Sequence, residues 1–277
     1  MTAAPANDDF DPLTVPVRPA ATVMLLDDRP DLQVLMLRRT AKLVFAPDNW
    51  VFPGGRVDPG DHIDDFDQLC VGLSDASASE IIGVERGGLA WWLAACRETL
   101  EEAGLLLAAG DLPASVDVAG LRDQVRADEN VFVDLLLEHD LAVDVTAIEQ
   151  VGRFVTPVGS PRRFDAHFFV AKAPIDQEAA HDDGEIVHLD WMAPADALER
   201  WQRGELTMMT PTVRMLACLD RFGTAEEVMT MARKRLPYNR VKVADPDGDY
   251  RVVLPGEDGY ETAELEVESG WIRLWGG

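Results

Sequence analysis

The sequence predicts a mixed α/β fold. Three observations carry that expectation. Strand-like aliphatic runs occur early, at Ala21–Leu26 and Gln33–Leu37; a helix-period segment, Ala94–Leu105, carries acids on one side and apolar residues on the other; and strand-like runs return at 149–156, 165–173 and 185–192. At 277 residues the chain is long enough to bury a sizeable core, as one large domain or two small ones.

The elements follow in order. Residues 1–16 hold several prolines and aspartates with little to bury, which predicts a mobile tail. The first two strands are joined through Asp27-Asp28-Arg29-Pro30-Asp31, a loose hairpin turn, and Arg38 and Arg39 follow the second. Trp50-Val51-Phe52 is a short apolar strand that runs into Pro53-Gly54-Gly55, where two glycines let backbone approach a ligand closely. About 61–88 the chain turns acidic and then small (Asp61, Asp64, Asp65, Asp67, Ser74–Ser79), which reads as a surface excursion with one short helix. After the acidic helix, 116–139 reads as one or two helices with Leu121, Val125, Val131, Phe132, Leu135 and Leu136 inward. Helices are expected again at 194–203, 212–222 and 225–235. Residues 236–277 are turn-rich with a strictly alternating Ala263–Glu268, which predicts a small β appendage that either folds back on the domain or mediates a homodimer.

Composition excludes several classes. Fifty acidic against 25 basic residues give a formal charge of −25, which argues against nucleic-acid or anionic-membrane partners, since both are polyanions. An anionic small molecule would need a local positive field from metal ions and a few arginines. Cys70, Cys96 and Cys218 are far apart and form no C-x-x-C pair, so a reducing cytoplasm is expected and Cys96 reads as core. No apolar stretch reaches 18 residues, and Met1–Val15 lacks the basic and apolar regions of a signal peptide.

The acidic helix carries the chemistry. On it Glu98, Glu101 and Glu102 share a face, while Trp92, Cys96, Thr99, Leu100 and Ala103 form the apolar side and Gly104 fits the left-handed position at its end. Three clustered carboxylates repel one another, and Arg97 alone cannot neutralise them. A divalent cation is the natural counter-charge, and all-oxygen ligands suit Mg2+ or Mn2+.

Phe52-Pro53-Gly54-Gly55 followed by Arg97-Glu98-x-x-Glu101-Glu102-x-Gly104 resembles the signature of the Nudix hydrolases, which cleave diphosphates linked to a nucleoside or similar group. Asp61 stands where the pattern has its first glutamate, and 35 residues separate it from Arg97 where the pattern has seven, an insertion of 28. The split box, Thr99 in a usually aliphatic slot, Thr156-Pro157, Pro161–Phe169 and Trp191–Pro194 are similar to a coenzyme A diphosphatase branch of that superfamily, over roughly residues 18–225. The resemblance implies a Nudix-type α/β/α sandwich with a mixed sheet over 17–235, the insertion at about 61–88, and the β appendage beyond. It also implies metal ligation by Glu98, Glu102, Glu101 and the Gly55 carbonyl, a positioning role for Arg97, and a base at Glu98 or Glu185, with Asp182 and Asp183 as rivals in the same loop. Substrate phosphates would meet Arg38, Arg39, Arg56, Arg162 and Arg163. The expected reaction is metal-dependent cleavage of coenzyme A or acyl-coenzyme A; ADP-ribose, nucleotide sugars and other nucleoside diphosphate derivatives are the alternative substrates, and a non-catalytic nucleotide-binding protein is the other class.

Overall fold

β1 (Val17–Asp28) and β2 (Leu32–Arg39) form the hairpin, with Leu26 opposite Val34 and Asp28 opposite Leu32. In the computed structural model, which describes residues 14–43, 46–63, 66–181, 184–244, 251–263 and 265–275, the two strands pair only near their turn and then part. A wedge fills the fork. β3 (Trp50–Val51) pairs with Leu37 and Arg38 of β2, β4 (Gly54–Arg56) pairs with Ala20–Thr22 of β1, and the Val23 amide donates to the Pro53 carbonyl. The Pro-Gly-Gly segment is thus fixed inside the sheet. The expected tail falls almost wholly outside the described residues, as do Asp64, Asp65, Asp182, Asp183 and residues 245–250.

The excursion is less peripheral than its composition predicts. It contains β5 (Cys70–Val71) and α1 (Asp75–Ile82), and it buries Phe66, Leu69, Cys70, Ala78 and Ile82 in the same core as the acidic helix α2 (Ala90–Ala103). α2 begins four residues before the expected start. Its Ncap, Leu89, offers no capping side chain, and the insertion supplies one: Asp75 accepts from the Gly87 and Leu89 amides at 2.8 and 3.1 Å, and Ser79 Oγ accepts from Gly88 at 2.9 Å.

α3 (Val118–Ala127) and α4 (Phe132–Glu138) resolve the 116–139 segment into two helices, broken where extended Asp128 accepts from the Asn130 amide. β6 (Val143–Asp144) pairs with β5 in a separate two-stranded sheet. β7 (Ile148–Val155), β8 (Arg163–Lys172) and β9 (Ile186–Met192) return to the main sheet; β8 lies parallel to β1, while β9 is antiparallel to β2, so the sheet is mixed. Then come α5 (Pro194–Gln202), α6 (Thr210–Leu219) and α7 (Ala225–Arg233).

The C-terminal segment folds back. β10 (Asn239–Ala244), β11 (Arg251–Val253) and β12 (Leu265–Ile272) extend the main sheet in the order β11-β10-β12-β7-β8-β1-β2-β3, joined where Trp271 faces Arg153 and Ile272 faces Gly152. Of the two expected arrangements this is the one that folds back on the domain: Val241, Leu254, Ile272 and Leu274 bury into one core with α6 and α7, so these strands are an edge of the sheet. Two cores therefore flank the sheet. One lies under α2, α3, α4 and the insertion, the other under α5, α6 and α7.

Candidate active site

The site forms where α2 crosses the forked strands. Gly55, paired with Ala21 on β4, lies directly against Glu98: a Cβ there would sit 2.3 Å from Glu98 Oε1. The Gly54 amide donates to Glu102 Oε2 at 2.9 Å, and its φ of +156 with Ala21 O at 2.5 Å from a built Cβ leaves no room for a side chain. The glycine pair thus brings backbone into contact with two of the three carboxylates.

Arg97 organises the rest. It is 1% exposed, and its guanidinium donates to Asp61 through Nε and Nη2 at 2.9 Å each, to the Arg56 carbonyl at 2.8 Å, to Glu98 Oε1 at 2.9 Å and to Glu101 Oε1 at 2.8 Å. Asp58 approaches Nη2 at 3.4 Å. Burial works against its charge, but these carboxylates hold it cationic. Asp61 also accepts from the Asp58 amide at 2.8 Å, so the short Pro59–Asp61 turn is welded to the helix and the insertion loops out between the two partners.

Electrostatics at the cluster run against ionisation. Burial, followed by Glu102 and Glu101, pushes Glu98 well above the usual carboxylate range, with Arg97 opposing. Burial likewise raises Glu101 despite Arg97. Glu102 is pushed up to about 8 by burial, with Glu185 and Glu101 adding to it and the Gly54 amide and Arg39 pulling it down. Arg39 Nη1 stands 3.9 Å from Glu102 and Nη2 3.5 Å from Glu185, whose side chain is 60% exposed at the mouth. Arg39 Nε is buried without a hydrogen-bond partner.

These residues suit a divalent cation by donor chemistry. The donors are all oxygen, the glycine cradle leaves backbone bare beside Glu98, and each carboxylate is held above its usual pKa chiefly by burial, with its acidic neighbours adding to the shift. Among the described residues no group of three or more histidine, cysteine or acidic side chains is placed to hold a metal ion: Arg97 engages Glu98 and Glu101, and the Gly54 amide engages Glu102.

The predicted arginines divide. Arg39 and Arg56 lie at the site; Arg56 is half-exposed and reaches Asp58 at 3.2 Å. Arg38 corrects its expected role: strand alternation sends Leu35, Leu37 and Arg39 to the α2 face and Arg38 to the other, where it pairs with Asp48 at 2.7 Å. Arg162 is exposed in the β7–β8 turn, and Arg163 is buried closing that turn, donating to the Thr156 carbonyl at 3.0 Å. Thr99 is accommodated by donating to the Ala95 carbonyl at 2.7 Å. Cys96 is fully buried, its thiol pushed up by burial, then by Cys70 and Asp61, as a core residue should be. Sequence reasoning missed Asp58 and Arg122. Asp58 was readable, since Asp-Pro-Gly-Asp is a turn that presents two acids three residues apart.

A mixed sheet between two helical layers, with this helix and glycine turn at its fork, resembles the architecture of one class of protein, the Nudix hydrolases. Within it the chain resembles NUDT19: the family model described as the NUDT19 Nudix domain matches residues 84–219, from the end of the insertion through α6. An acyl-coenzyme A diphosphatase NUDT19 of Xenopus laevis is 25% identical over 236 residues, covering 72% of this chain and 62% of that protein. That of Gallus gallus is 26% identical over 307 residues, covering 88% and 79%. A crystal structure of a Nudix hydrolase from Alicyclobacillus acidocaldarius superposes with a TM-score of 0.65 at 28% identity, covering 78% of this chain and 97% of that one. No helix among the described residues is long and apolar enough to cross a membrane.

Proposed function

We propose that this chain hydrolyses the diphosphate linkage of coenzyme A or an acyl-coenzyme A, giving 3′,5′-ADP and 4′-phosphopantetheine or its acyl form. The observation that carries the reading is the packing of Glu98 and Glu102 onto the backbone of Gly55 and Gly54, with Arg97 locking Glu98 and Glu101 beside them. The likeness to proteins named acyl-coenzyme A diphosphatases favours that substrate over ADP-ribose or a nucleotide sugar.

Glu98, Glu102, Glu101 and the Gly55 carbonyl would hold Mg2+ or Mn2+, which when bound supplies charge neutralisation and acidifies a coordinated water. Arg97 fixes the carboxylates from behind. Arg39, with its unspent Nε donor, and Arg56 at the rim receive phosphate oxygens, where a planar fork is suited to bidentate contact. Glu98 or Glu185 takes the proton of the attacking water as it adds to phosphorus in line. Three free, buried cysteines agree with a reducing compartment, and we place the protein in the cytoplasm without nucleic-acid partners.

The test is hydrolysis of coenzyme A, a short acyl ester, ADP-ribose and a nucleotide sugar, each with chelator and then with Mg2+ or Mn2+ restored. Activity should vanish in chelator and return with metal, with kcat/KM highest for the coenzymes. A tenfold preference for ADP-ribose or the sugar overturns the substrate; full turnover after exhaustive metal removal overturns the assignment of the glutamates.

A further inference from the structure

The last four carbonyls of a helix have no partner within it, and in α2 two of those four belong to Glu101 and Glu102. All four are satisfied, and none by chance of solvent. The Gly104 amide takes Leu100 O at 3.0 Å, and the Ala180 amide takes Ala103 O at 2.9 Å. The two between are taken by one buried side chain from α3: Arg122 donates through Nε to Glu101 O at 3.0 Å and through Nη2 to Glu102 O at 3.2 Å. Its Nη1 reaches the His181 carbonyl at 3.4 Å. The chain just before His181 is tied down beyond the helix end as well, where the Gln177 side chain bonds both the amide and the carbonyl of Leu106, at 2.8 and 3.0 Å.

We infer that Arg122 is a positioning residue for the carboxylate site: one guanidinium ties the backbone of Glu101 and Glu102 to α3 and to the His181 carbonyl, and so sets where the end of α2 presents those two carboxylates. The inference rests on the proposed function of the same site and deepens it. Gly104 belongs to the device for a reason beyond its φ of +68, because a Cβ there would stand 3.1 Å from Arg122 Nη1 and 3.5 Å from Ala180 O. A planar fork can bond three carbonyls held in fixed directions. A lysine ammonium brings the charge to the helix end but cannot span all three.

The test compares full-length parent, Arg122→Lys and Gly104→Asn, the last chosen because asparagine tolerates the left-handed backbone while its Cβ pushes on the guanidinium. Mn2+ binding is followed by water-proton relaxation, coenzyme A and ADP-ribose turnover by steady-state kinetics, and folding by thermal melts, all well below the melting temperature. Expected in both variants are a drop in kcat of at least tenfold, several-fold weaker Mn2+ binding and a KM within about twofold of the parent. Parent-like kcat and Mn2+ binding in Arg122→Lys overturns the inference, since charge alone then suffices. If Arg122→Lys does not fold, Gly104→Asn decides on the same readouts, and a lowered melting temperature with unchanged turnover overturns it too. A parent that binds no Mn2+ and cleaves neither substrate instead removes the reading of the site itself.

Discussion

Glu102→Gln isolates the electrostatic argument in one substitution. The side chain is buried, its carboxyl accepts from Gly54, and its pKa is pushed up to about 8 from an ordinary 4.5. A glutamine keeps the acceptor for that amide and removes the charge. The sign follows from proton linkage: a carboxyl whose folded pKa is raised stays protonated in the fold while the unfolded chain ionises, so its contribution is intact below about 4.5 and is lost as pH rises towards about 8. Between pH 5 and pH 8 the parent should therefore lose roughly 3 kcal/mol that Glu102→Gln keeps. For a chain of this size that is roughly 6 °C in Tm. Thermal melts of both proteins in chelator, from pH 5 to pH 8.5, measure it directly: the variant should match the parent closely at pH 5 and melt higher at pH 8. Added Mg2+ should stabilise the parent more than the variant, whose turnover should fall by orders of magnitude. A stability difference independent of pH, or a parent more stable than the variant at pH 8 in chelator, refutes the reasoning.

Gly55→Ala should fold, because its backbone pairing with Ala21 is unaffected, yet lose most turnover, since its methyl would meet Glu98 Oε1 at 2.3 Å and displace that carboxylate; kinetics beside a melt will show whether activity falls without the fold. Asp61→Asn removes a bidentate partner from a buried arginine, and should cost about 3 kcal/mol in urea unfolding, as for other broken buried ion pairs. An effect below about 0.5 kcal/mol would mean that Asp58 and the Arg56 carbonyl suffice to hold Arg97.

What was legible in the sequence was local. The helix of Glu98, Glu101 and Glu102 and the paired glycines could be read because spacing within one turn fixes which side chains meet. Arg39 could have been separated from Arg38 in the same way, since Leu35, Leu37 and Arg39 alternate onto one face of β2. Long-range roles were not legible. Residues 61–88 read as a surface excursion because their small and acidic residues resemble solvent-facing chain, yet Leu69, Ala78 and Ile82 are core and Asp75 caps the helix that begins at Ala90. Arg163 carries the charge a phosphate site needs, but its use in closing a turn depends on the position of a backbone carbonyl, which no residue pattern reports. The C-terminal strands alternate as an appendage would; only the apolar face shared with α6 and α7 makes them part of the sheet.

The placement of acids along α2 separates a functional face from a merely solvated one. A helix stabilised by surface charge carries acids in its first turn and bases in its last, each worth about 0.3–1 kcal/mol. α2 has neither: no acid lies in its first turn, no base in its last, and its three glutamates crowd the half where the helix dipole is negative. Those glutamates are also buried or nearly so, so water does little to relieve them. The cations that do approach come from behind or from one side, Arg97 within the helix, Arg122 at its end and Arg39 from β2, and the carboxylates still stand above their usual pKa. For the protein alone this arrangement is unfavourable at both levels, helix dipole and mutual repulsion. A divalent cation held there would offset both at once, which is the physical reason for proposing a metal face, with the contacts from Asp75 and Arg122 holding the two ends of the helix in place.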